Sequence, residues 1–228
     1  MDLFDLEELK EKELDQNQGP TPKERFYAVF NGLKSLKESQ KDFILNWLER
    51  YGFFEAPAAA QNHSNYPGGL VEHSLNVADA LVELTEKNGV SWKNKETPII
   101  IGLFHDLCKV CFYKLGTKNV KNEATGKWEQ VPNYSVADET DLTALGNHGD
   151  RSALMMMFLM MEKDPFESPA LVEMLSGIRF HMGFSQDGDA RSYSNAMNVN
   201  ETLAWVSMAD TLAANKETRE QKEKASLM

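Results

Sequence analysis

Five histidines occur in this 228-residue chain, and most of them stand where helical spacing turns a side chain inward. His73 shares a stripe with Leu70, Val77, Leu81 and Leu84, and His105 with Asp106 closes the apolar run Ile99 to Phe104. His181 follows Met174, Gly177 and Ile178 at helical spacing, and Asp210 shares a face with Leu203, Val206, Ala213 and Ala214. His148 sits in Gly-Asn-His-Gly, just ahead of a predicted helix start. A single histidine on an apolar face is ordinarily a core residue with one hydrogen bond. An aspartate there is harder to dismiss, because burying an unpaired carboxylate costs several kcal/mol. No obvious Arg or Lys on the same faces is expected to neutralise Asp106 or Asp210. A metal ion would neutralise both and satisfy their oxygens. Six donors exceed what one zinc takes, and suit one octahedral ion or two ions sharing a carboxylate, with Asp106 as the natural bridge. Imidazole with carboxylate favours Mn, Fe, Co, Ni or Zn over Ca or Mg.

Positioning these residues requires helices, and the pattern is helical almost throughout. The fold class expected is all-α, a helical bundle with a small β-hairpin insertion. Thr21-Pro22 is a helix start, followed by Phe26, Val29, Phe30 and Leu33 at helical spacing. A second helix is predicted near Leu36–Tyr51, and a third from Pro67-Gly68-Gly69 to near Gly89. The run after Pro98 is apolar all round, as a buried central helix would be. Residues 112–135 break the period, and two polar, aromatic-bearing segments around Asn122–Gly126 predict a hairpin. Further helices are expected over about Asp150–Glu162 and Ser168–Met182, and from about Asn200 onward. The chain thus divides into an acidic N-terminal extension (1–20), one helical domain (21–215) and a charged, solvated helical tail (216–228).

Composition narrows the function. The net charge of −11 opposes sequence-independent binding of long nucleic acid, which rests on Lys and Arg against phosphates. A small phosphorylated substrate is easier to accept, since bound divalent metals can dominate a site's field. The acidic N-terminus lacks the features of a secretory signal, and the longest apolar run, Ala153–Met161, is too short to span a bilayer. A cytoplasmic protein with no membrane partner is expected. Cys108 and Cys111 form a C-x-x-C pair, but no second pair completes a structural zinc site, and both are read as packing residues inside a helix.

The order His73, His105-Asp106, His148, His181, Asp210 resembles the two-metal branch of the HD superfamily of metal-dependent phosphohydrolases. The string from His63 through Tyr66-Pro67-Gly68-Gly69 to His73 is similar to the opening of the HD domain of a bacterial 3′-to-5′ exoribonuclease. The resemblance covers about residues 60–215 and implies an HD-domain bundle. It implies that His73, His105, Asp106 and Asp210 hold one divalent transition metal, and that His148, His181 and Asp106 hold a second. The activity implied is hydrolysis of a phosphoester, of a nucleotide or short oligonucleotide, by a metal-activated hydroxide. Asp106 and Lys109 are the catalytic residues expected, with Lys109, in His105-Asp-Leu-Cys-Lys109, facing the substrate phosphate. Arg151 beside a helix N-terminus is a second phosphate contact or a surface charge, and His63 orients substrate or ties down its loop. The nucleic-acid-binding domain that accompanies the exoribonuclease has no counterpart in these residues, so long RNA is not the expected substrate. The hairpin either roofs the site, through Tyr113, Lys114, Trp128 and Tyr134, or stands apart from it. Two other readings fit the same residues: a mixed-valent di-iron oxygenase of the superfamily, and a non-catalytic nucleotide-binding module.

Overall fold

A computed structural model describes residues 19–226 apart from 62, 111, 123–124, 138–143, 161–167 and 184–189. Most of the N-terminal extension, residues 1–18, and Cys111 therefore lie outside the described residues. The described residues are mostly helical, with one two-stranded antiparallel sheet. In chain order the elements are α1 (Pro22–Asn31), α2 (Glu38–Arg50), α3 (Gly69–Lys87), α4 (Thr97–Phe104) and a 3-10 turn at Leu107–Lys109. Then follow β1 (Tyr113–Lys121), β2 (Trp128–Val136), α5 (His148–Leu159), α6 (Pro169–Arg179), α7 (Ala190–Val199) and α8 (Leu203–Ser226).

Local chemistry explains most helix starts. Thr21 and Glu24 form a reciprocal capping box at α1, with Pro22 in the first turn. Asn147 caps α5 by accepting from the Asp150 amide at 2.9 Å, and Ser168 caps α6. Beneath these helices lies an aromatic core in which Phe26 meets the rings of Phe30, Phe53, Phe54 and Phe104 at centroid distances of 5.3–6.1 Å. All five rings are buried, and burying a side chain of this size stabilises by about 1.5–3 kcal/mol relative to leaving it in water. Helix α3 lies at the centre, packed on α1, α4 and α8.

Two glycines set how closely the helices approach. A Cβ on Gly102 in α4 would stand 2.3 Å from the Cα of Ala78 in α3. One on Gly149 in α5 would stand 2.1 Å from the carbonyl oxygen of Arg179 at the end of α6. Both positions exclude any side chain, so α3 meets α4, and α5 meets α6, at backbone contact. The first approach brings the His73 helix to His105. The second brings His148 to His181.

The hairpin falls where the pattern put it, with Tyr113 opposite Val136 and Lys121 opposite Trp128. Several boundaries differ from expectation. The central helix stops at Phe104, and Cys108 lies in the tight turn that follows, because the apolar run continues past the helix end and hides it. Cys108 is buried, as a packing residue is, and burial pushes its thiol up from the ordinary range. His148 is the first residue of α5 instead of preceding it, and His181 lies beyond the end of α6. Helix α7 was not foreseen: its polar sequence has no buried residue to set a period. The C-terminal stretch is helical through Ser226, yet Glu217 within it is buried, so the solvated tail expected from 216 is corrected at that position.

Candidate metal centre

Each candidate donor leaves a helix end or a helix face and points to one place. His73 comes from the first half of α3, and Asp210 from the middle of α8. His105 caps α4, and Asp106 precedes the 3-10 turn. His148 opens α5, and His181 follows α6. The structure brings all six together. His73, His105 and Asp106 offer donor atoms within 4.8 Å of one another, as do His105, His181 and Asp210, and Asp106, His148 and His181.

The orientation of the rings carries more than their proximity. His105 Nδ1 donates to the Gly102 carbonyl at 2.9 Å, and His181 Nδ1 donates to that of Ile178 at 2.7 Å. His73 Nδ1 donates to the Glu217 carboxylate, 3.1 Å from each oxygen. An acceptor beside each Nδ1 places a ring proton there and turns Nε2 toward the shared centre, the arrangement of metal-ligating histidines. The Nε2 atoms of His73 and His105 face each other at 3.3 Å, so either one carries a proton shared with the other or both turn their lone pairs to a cation. Asp210 Oδ1 stands 3.2 Å from His73 Nε2 and 3.8 Å from His105 Nε2.

Asp106 turns one oxygen each way. Its Oδ2 faces His105 Nε2 at 3.3 Å and His73 Nε2 at 3.9 Å, and accepts from Lys109 Nζ at 2.6 Å. Its Oδ1 faces His181 Nε2 at 3.6 Å. That oxygen and that nitrogen are both buried with no hydrogen-bond partner among the described residues. Two orphaned polar atoms pointed at one gap would cost about 1–3 kcal/mol each if nothing joined them. A cation bound by both removes that cost, so the donor set fits a divalent metal on each side of Asp106.

The electrostatics follow from burial and neighbours. Burial opposes charge on Asp106, but Lys109, His105 and His181 outweigh it and hold the carboxyl well below its usual range. Burial likewise opposes charge on Asp210, whose hydrogen bond with His73 and whose proximity to His105 hold it low. His73 is pushed down by burial, yet its bonds with Asp210 and Glu217 raise it to about 9. Burial takes His181 down to about 4 against the pull of Asp106. Lys109 is raised despite burial, chiefly by the Asp106 charge.

Four of the six, His73, Asp106, His148 and Asp210, line a cleft of about 590 Å³. His63, Lys109 and Arg151 line it. His63 is half-buried, its ring 4.8 Å from that of His73, and burial followed by the His73 charge pushes its pKa down. Arg151 is not a surface charge. It is buried, with its guanidinium 4.9 Å over the Phe112 ring. Of the hairpin residues named as contacts, Tyr113 lines the cleft, whereas Lys114, Trp128 and Tyr134 do not. The hairpin therefore meets the cleft only at its base, through Tyr113: the rest of β1 is exposed, β2 is exposed or half-buried, and Trp128 is 70% exposed.

Glu217 was missed by sequence reasoning. Its carboxylate also accepts from Ser64 Oγ and Asn76 Nδ2 at 2.8 Å each, tying the loop next to His63 to the ring of His73. The signal was present, because position 217 continues the stripe of Val206, Asp210 and Ala213 by one helical turn. Comparison of the chain with protein-family models, with curated proteins and with solved structures gives no match.

Proposed function

We propose that this chain is a metal-dependent phosphohydrolase of the HD superfamily, cleaving a phosphoester of a nucleotide or short oligonucleotide. The observation that supports it most is the Asp106 carboxylate, whose two oxygens address two separate groups of histidine nitrogens. His73, His105, Asp106 and Asp210 would hold one divalent transition metal, and Asp106, His148 and His181 the other. Bound there, such ions supply Lewis acidity at a phosphoryl oxygen and bring the pKa of water to about 7 in favourable sites.

The chain's own residues do the rest. Lys109 keeps its proton and spends one donor on Asp106, which leaves its other N–H groups for a phosphoryl oxygen gaining charge in the transition state. Arg151 offers a guanidinium to phosphate from the same cleft. His63, kept neutral at physiological pH by its lowered pKa, is placed to orient the leaving group or accept a proton from it. Deep placement of the donors restricts water at the reacting atoms.

The test is turnover of a phosphodiester reporter and a nucleotide panel by the parent chain and by Asp106→Ala, each supplied with Mn²⁺. Parent turnover falling to background in the variant, with loss of bound metal, is the expected result. A variant that keeps both metal and activity defeats the proposal. Iron-dependent oxygen uptake with no phosphate release from any ester would instead assign the chain to the oxygenase branch.

A further inference from the structure

Arg151 stands out once the charges in the cleft are matched to one another. Lys109 is committed to Asp106 at 2.6 Å, and Arg179 to Asp150 at 2.7 Å. Arg151 is only 7% exposed, lines the cleft, and forms no ion pair among the described residues. Its Nε is buried without a hydrogen-bond partner there, and its guanidinium lies over the face of Phe112, also a cleft residue. A buried guanidinium with an unused N–H is costly unless something anionic completes it. A guanidinium over an aromatic face is held there by cation–π attraction, which uses none of its N–H donors and leaves them for an oxyanion. The residue also lies in the first turn of α5, a twelve-residue helix whose N-terminal dipole favours negative charge.

Charge then bears on the substrate. The single negative charge of a phosphodiester is answered by the two divalent cations, and would leave Arg151 unmatched. A second anionic group on the same substrate would complete it. Resting on the phosphohydrolase reading above, we propose that Arg151 and Phe112 form a second phosphoryl subsite, and that the substrate carries two phosphoryl groups, one at the metals and one on Arg151. Nucleoside diphosphates and triphosphates belong to this class, as do oligonucleotides with a terminal phosphate. Plain phosphodiesters do not.

The test is binding of methylenebisphosphonate and of orthophosphate, by isothermal titration calorimetry at fixed free Mn²⁺, to the parent chain, Arg151→Gln and Arg151→Lys. Loss of a charge-assisted pair predicts bisphosphonate affinity lower by about tenfold or more in Arg151→Gln, with orthophosphate changed by about twofold or less. Arg151→Lys keeps the charge and loses the planar fork, so it should fall between the two and also controls for folding. Equal bisphosphonate affinity in all three proteins overturns the subsite, as does an equal loss for both anions, or failure of the parent to bind bisphosphonate at all. Metal content is measured on the same samples. A parent chain that binds no metal counts against the phosphohydrolase reading, whereas metal-loaded variants with unchanged anion affinities count against the subsite alone.

Discussion

At the scale of single residues, the carboxylate of Glu217 governs how well His73 can serve a metal. It accepts three hydrogen bonds, from Ser64, Asn76 and His73, and shares the charge of the imidazole across the Nδ1 contact. Carboxylates of this kind fix ring orientation and raise ligand basicity, and losing one costs about 10–100-fold in metal affinity. Glu217→Gln preserves shape and removes charge. Mn²⁺ titration should show a loss in that range, and an affinity within about twofold of the parent would show that the backbone alone orients His73. Five of the six candidate donors stand out in the sequence as His or Asp on or closing an apolar run, and His148, between glycines, enters only through the order of the motif. Glu217 does not stand out, because Lys216, Arg219 and Glu220 surround it with ordinary surface chemistry. Arg151 was legible as a cation near a helix start, but its burial depends on Phe112, a contact that no spacing encodes.

Among elements, the distance between α3 and α4 decides whether His73 and His105 can meet. Gly102→Ala would force a Cβ to 2.3 Å from the Ala78 backbone, and neither helix can turn a rotamer to avoid it. Overpacking of this kind costs about 1–3 kcal/mol. The melting temperature should fall by about 5 °C, at roughly 2–4 °C per kcal/mol for a chain of this size. Mn²⁺ affinity should fall with it, because the two Nε2 atoms separate. An alanine variant that melts like the parent would mean the helices are looser than described. The long helices and the hairpin were readable from period and turn residues. The ends of α4 and α6 were not, since apolar spacing runs on past both and only the hydrogen bonding stops. Helix α7, with no buried residue, offered nothing to read.

For the molecule as a whole, the buried histidines impose a pH profile with opposite signs on its two sides. His73 has a folded pKa of about 9, above its ordinary 6.5. The stability it adds is complete below 6.5 and is lost as pH rises toward 9, on the order of 3 kcal/mol if the unfolded chain titrates normally. His181 has a folded pKa of about 4, so stability is lost as pH falls from 6.5 toward 4, where the unfolded chain takes up a proton the native state refuses. Melting followed in EDTA should therefore peak near pH 6.5. In excess Mn²⁺ the alkaline decline should flatten or reverse, because coordination needs the His73 nitrogen free of its proton. Parallel profiles with and without Mn²⁺ would mean that the ion does not engage His73. Acidity and the absence of a membrane-spanning helix among the described residues were evident from composition, whereas this profile depends on which groups the fold brings within bonding distance.

The contact between His73 and Glu217 joins positions 144 residues apart, with donors from three other segments in between. No short stretch of the chain holds a complete set of ligands, so a partly folded intermediate has little with which to capture an ion. Metal uptake during refolding should therefore lag behind helix formation and coincide with the slowest phase. Because the cleft reaches His73, Asp106, His148 and Asp210, exchange in the native state can proceed through it by stepwise loss of ligands. The centre acts as a latch on long-range topology, closing last.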